Sequence, residues 1–144
     1  MSKILAVVVV AVALIGCGGS AEKPEKVRAF QSKVSLYLDE ARAGAKLLSR
    51  DASMAELEAI EAKLSDLNAH LPDVPTGIDQ PEKLTEKLER IETQFALGKG
   101  FARLLQSSRQ LGDAESTEKT SAGVNEAIAE IKSLADEIEA LLSK

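Results

Sequence analysis

From residue 24 onward, apolar residues recur at alternating steps of three and four, the period of an amphipathic helix, and four such stripes can be traced. The first carries Val27, Phe30, Val34, Tyr37, Ala41, Gly44 and Leu48, widened by Leu38 and Ala45. Leu57, Ile60, Leu64, Leu67 and Leu71 form the second. The third runs Leu84, Leu88, Ile91, Phe95, Gly98, Ala102 and Leu105, flanked by Leu97, Phe101 and Leu104. Val124, Ile128, Ile131, Ala135, Ile138 and Leu142 make the fourth, broadened by Leu134 and Leu141. No segment alternates with the period of two that marks a strand. The pattern predicts helices at about 24–50, 53–71, 81–111 and 117–143. Four amphipathic helices joined by short polar loops bury all four stripes together most economically as an all-α, antiparallel up-down-up-down four-helix bundle.

The punctuation between stripes agrees with these bounds. Pro24 stands near the first position of helix one, and Lys46 and Arg50 in its last turns suit the negative end of the helix dipole. Ser53 and Glu56 have capping-box spacing, as do Asp79 and Glu82, with Pro81 between the latter two. The segment "LPDVPTGIDQP", residues 71 to 81, separates helices two and three, and Gly112 stops the third. The start of helix four is blurred by the polar run "DAESTEKTSAG". Pro81 follows Pro24 by 57 positions. If helices one and three run side by side from those prolines, Ala41 faces Gly98 and Ala45 faces Ala102, with Gly44 in the same layer. Such a layer either packs closely or encloses a ligand cavity, and dense cores usually set large residues against small ones.

The chain before residue 24 has a different character. Lys3 precedes an uninterrupted apolar run from Ile4 to Ile15, followed by Gly16, Cys17, Gly18, Gly19 and Ser20. A cationic start, an apolar middle and small residues at the end is the layout of a secretory signal, and the run falls short of the roughly 20 residues that span a bilayer. Within it, Leu14-Ile15-Gly16-Cys17 resembles the lipobox of bacterial lipoproteins. That resemblance implies cleavage between Gly16 and Cys17 and attachment of lipid to the Cys17 thiol. Residues 1–16 are then a signal peptide, 17–23 a lipidated N-terminus with a flexible spacer, and 24–144 one folded unit. Two or three acyl chains, each methylene contributing about 0.8 kcal/mol, hold a protein at a membrane without a transmembrane helix. Gly18 stands where some lipoproteins carry the aspartate of inner-membrane retention, which points to the outer membrane, facing the periplasm.

Charge narrows the partners. Lys and Arg number 18 against 23 Asp and Glu, a net −5 that becomes −6 once Lys3 leaves with the signal. An acidic chain without a polybasic patch is a poor ligand for nucleic acid or for anionic lipid surfaces. Cys17 is the only cysteine, so its acylation leaves no thiol for a disulfide or a metal.

Helical bundles host haem and di-metal centres, and the residues for these are missing. His70 and Met54 lie sixteen positions apart on one predicted helix, about 24 Å along its axis, too far to share an iron. There is no Cys-x-x-Cys-His motif, and Leu67 occupies the position that a Glu-x-x-His pair ending at His70 requires. His70 instead stands where it can cap the carbonyls that end helix two. No Gly-x-Ser-x-Gly elbow or phosphate-binding glycine loop occurs, and "GKG" at 98–100 lies within a helical pattern. The carboxylates Glu126, Glu130, Asp136, Glu137 and Glu139 along helix four form a solvated face or attract a cation or a basic partner. The sequence therefore leads to a non-catalytic structural or adaptor lipoprotein of the cell envelope, without cofactor or metal, held by its Cys17 acyl chains and contacting another envelope protein. A lipid-anchored binding or sensory bundle, with a small ligand near Ala41, Gly44, Ala45, Gly98 and Ala102, is the alternative.

Overall fold

The computed structural model describes residues 24–144; the signal segment, the lipobox with Cys17 and the spacer lie outside the described residues. Four helices occupy most of that span, α1 (Pro24–Leu48), α2 (Met54–Ala69), α3 (Pro81–Leu111) and α4 (Ala114–Leu142), and the described residues contain no strand. Each stripe of the sequence supplies one side of a common core. Phe30, Val34, Tyr37 and Leu38 come from α1, Leu57 and Leu64 from α2, Leu84, Leu88, Ile91 and Phe95 from α3, and Ile131, Leu134, Ala135 and Ile138 from α4. Val74 and Ile78, in the loop between α2 and α3, pack against one end of this core.

The helix ends follow local chemistry, with two departures from the sequence reading. At α2 the capping box forms as its spacing predicts: Ser53 N–H donates to Glu56 Oε2 at 2.7 Å and Glu56 N–H to Ser53 Oγ at 3.3 Å. The Asp79–Glu82 box does not form. Helix α3 begins at Pro81, as its spacing predicts, but its cap is Gln80 rather than Asp79, with a φ of +54°, the left-handed conformation. A residue preceding proline is disfavoured in the right-handed helical region, so the helix does not extend back through Gln80, and Pro81 takes the first helical position, where its missing N–H costs nothing. The Asp79 carboxylate instead accepts from Gln80 Nε2 at 3.2 Å.

The second departure is the start of α4, at Ala114 rather than near 117. Asp113 serves two helices. Its backbone N–H donates to Ser108 O at 3.1 Å behind the left-handed Gly112, closing α3, while its side chain accepts from Ser116 N–H at 3.0 Å, opening α4. So tight a connection makes α3 and α4 the most extensive helix pair.

Pairs between helices fix their register. Gln31 Nε2 donates to Leu142 O at 2.8 Å, and Arg42 forks onto Asp136 Oδ1 at 2.9 Å and Glu139 Oε1 at 2.6 Å. Lys63 pairs with Glu40, Lys99 with Glu61, Lys87 with Glu137, Arg90 with Glu130 and Arg109 with Asp51. Exposed pairs of this kind contribute only about 0 to 1 kcal/mol each, so they select a register more than they hold the fold.

Tyr37 ties α1 to α3 from inside. Its side chain is fully buried and its hydroxyl donates to Leu88 O at 3.1 Å, a separation of 51 positions. Burial, and then the Glu92 carboxylate, push the phenol well above its ordinary value of 10. The fold thus favours the neutral phenol, and this contribution is intact below about pH 10 and is lost as pH rises beyond it. Tyr37→Phe is expected to lower stability at pH 7 by about 0.5 to 1.5 kcal/mol and to remove part of the alkaline destabilisation, which urea titrations at pH 7 and pH 11 would show.

Candidate protein-docking face

Ala41, Ala45, Gly44 and Gly98 are buried and Ala102 is partly so. Helices α1 and α3 meet at the Tyr37 offset of 51, not at 57, which moves each glycine away from its expected neighbour. A Cβ on Gly44 would lie 2.6 Å from Phe95 Cε2 and 2.9 Å from Ile60 Cγ2; one on Gly98 would lie 2.8 Å from Leu48 Cδ1 and 3.1 Å from Ala127 Cβ. Large side chains thus fill the hollows beside both glycines. Ala102 lines a crevice of about 100 Å³ with Leu48, Ala52, Gln106 and Val124, near the turn between α1 and α2. Gln106 Nε2 donates to Ala52 O there, at 3.1 Å.

The polar groups noted in the sequence are spent on structure. His70 closes α2, its Nδ1 lying 2.7 Å from Asp66 O, while Lys33 Nζ donates to its carbonyl. Four of the α4 carboxylates, Glu130, Asp136, Glu137 and Glu139, hold Arg42, Lys87 and Arg90. Lys87 and Ser133 keep the Glu137 carboxyl below the usual range, and Arg42 does the same for Glu139. Their contribution is present above about pH 4.5 and is lost on acidification. Among the described residues no three metal-ligating side chains converge, and no helix is long and apolar enough to cross a membrane.

What stands out is the outer face of α3. Thr93, Ala96, Leu97, Gly100, Phe101 and Leu104 line an open, almost wholly apolar groove, with Leu97 49% and Leu104 55% exposed. In the sequence, Leu97, Phe101 and Leu104 flank the core stripe of α3. Only Phe101 turns partly inward, its ring lying over Gly123, where a Cβ would come within 2.8 Å of three ring atoms. The signal was present in the width of the α3 apolar arc, which exceeds what its neighbours can cover.

Gly100 is the odd residue in this groove. A Cβ there would meet nothing within 4 Å, so nothing in the described chain requires a glycine. Mid-helix glycine nevertheless costs about 1 kcal/mol relative to alanine. Gly100→Ala is therefore expected to raise stability by about that amount. Gly44→Ala and Gly98→Ala gain the same propensity but must displace packed side chains at about 1 to 3 kcal/mol, so both are expected to melt below Gly100→Ala. Thermal melts of the three variants would check this order.

Comparison with known protein families, characterised proteins and solved structures gives no match. The chain's own residues must carry the functional reading.

Proposed function

We propose that this chain is a lipid-anchored, non-catalytic structural or adaptor module of a bacterial cell envelope. Lipid on Cys17 holds it at the membrane, in the outer membrane facing the periplasm, and the helical unit reaches another envelope protein. The observation that carries the reading is the apolar groove of α3, which no other described residue covers, built from side chains that offer contact area and no convergent polar chemistry. A small-molecule site would need polar groups aimed into it, and a catalytic one would need a nucleophile or base there.

The helical unit is read as an antiparallel up-down-up-down bundle. Supporting this, cross-helix pairs run in opposite order along neighbouring helices: the start of α1 meets the end of α4 through Gln31 and Leu142, and the end of α2 meets the middle of α3 through Asn68 and Glu92. Helices α1 and α3 keep a constant offset instead, as Tyr37 with Leu88 and Gly44 with Phe95 illustrate. In such a bundle the α3 groove faces away from the core along the side of the molecule, where a neighbour at the same membrane can reach it.

The test is a photoreactive amino acid placed singly at Leu97, Leu104 and Ser35 in cells that produce the full chain. Protein adducts are expected from the first two positions and not from Ser35, which lies on α1. Absence of adducts at Leu97 and Leu104, with the chain folded and membrane-bound, would overturn the docking reading.

A further inference from the structure

We infer that the occupant of the α3 groove is a second copy of this chain, seated with its own α3 antiparallel to the first. This rests on the docking reading above and names the partner. Along its centre the groove is self-complementary under a two-fold axis that runs between the two copies of α3, level with the midpoint of residues 98 and 99. That rotation sets Leu97 level with Gly100 and Leu104 level with Thr93 of the second copy, a large side chain beside a small one each time, while Phe101 on the α4 flank and Ala96 on the α2 flank border the contact on opposite sides. It also gives Gly100 a purpose that the described residues of its own chain do not, because the hollow it leaves open is filled by a leucine from outside.

Charge follows the same symmetry. Arg103 is exposed and has no ion pair among the described residues, and Glu92 lies toward the other end of the groove on the α2 side. The rotation brings Arg103 within about 3 Å, along the axis, of the level of Glu92 in the second copy, given a rise of ~1.5 Å per residue. Opposite signs thus meet on the α2 flank at both ends of the contact.

Area sets the strength. The groove covers about 18 Å of helix, twelve residues at ~1.5 Å each, and buries less than the roughly 800 Å² per partner of a stable complex. The dimer is therefore weak in dilute solution and forms when both copies lie lengthwise on one membrane surface, their anchored ends at opposite ends of the pair, where tethering raises their effective concentration.

The experiment is a size swap in the full chain, reconstituted in phosphatidylcholine vesicles and followed by energy transfer between copies labelled through a C-terminal tag. Leu97→Ala alone leaves two hollows and Gly100→Leu alone sets leucine against leucine, so each is expected to weaken association about tenfold or more. The double variant exchanges the two sizes and is expected to recover association to within about threefold of the parent. Circular dichroism melts guard against unfolding, since Leu97 is half exposed and position 100 has open space around it in its own chain. Single variants without effect, or a double variant no better than either, would overturn the second copy as occupant. Cross-linking in cells from Leu104 separates this from the wider reading: an adduct of twice the chain's mass supports the dimer, an adduct of any other mass overturns it while leaving docking intact, and no adduct overturns both.

Discussion

Phe95→Ala is expected to cost about 3 to 5 kcal/mol of stability, the largest loss from any single truncation in the core. The ring is fully buried at the meeting of α1, α2 and α3, against the bare backbone of Gly44 and beside Ile60. Gly44 exists to admit it. Truncation removes the transfer free energy of the ring and leaves a cavity that helices of fixed register cannot collapse. The same geometry predicts a reversal of sign. Gly44→Ala, which overpacks the parent, should stabilise the Phe95→Ala protein, because its methyl group enters the space the ring has left. Urea titrations of residues 24–144, expected to be soluble, strongly helical and cooperative in unfolding without residues 1–23, would complete the double-mutant cycle. Additive effects of the two substitutions would mean that Phe95 and Gly44 are not in contact.

Cys17→Ala is expected to have an all-or-none effect of another kind. With no other cysteine in the chain, the variant has no thiol to acylate. Incorporation of a labelled fatty acid should vanish, and the precursor should keep its signal segment, because the lipobox reading makes the modified cysteine the substrate of cleavage. A precursor labelled as strongly as the parent would remove the anchor from the account. The fold should be indifferent to the change, since among the described residues every fully buried core residue lies between Phe30 and Ile138.

Helix number and order were legible because each stripe is long and bounded by a proline, a capping residue or a glycine. Register was not. Counting from Pro24 and Pro81 assumed that helix starts are level, whereas the level is set by which side chain enters which hollow: Phe95 beside Gly44 and Leu48 beside Gly98. Residues 24–144 show large-against-small packing at both glycines, yet no rule of spacing reveals which large residue meets which small one. The start of α4 was hidden for a different reason. Ala114 to Thr120 contains no large apolar residue, so periodicity is silent there, and only the Asp113 cap marks the boundary.

The apolar face of α3 was half legible. Leu97, Phe101 and Leu104 were visible as apolar positions, but whether they shoulder the core or face outward depends on how far α2 and α4 spread around α3, which amphipathicity of α3 alone does not encode. Gly100 held the sharper signal. A glycine within a long helix asks for a close neighbour, and the described residues of its own chain do not supply one.

Anchor and face are claimed to act together, and one measurement addresses both. Residues 24–144 carrying the photoreactive group at Leu104 can be exported behind an ordinary cleavable signal, so that the same folded unit reaches the same compartment without lipid. At equal abundance, the adduct formed by the anchored chain is expected to fall about tenfold or more once the tether is removed, since the contact is too small to persist without confinement. An undiminished adduct from the lipid-free form would contradict the account of a module that works because it is held at the membrane.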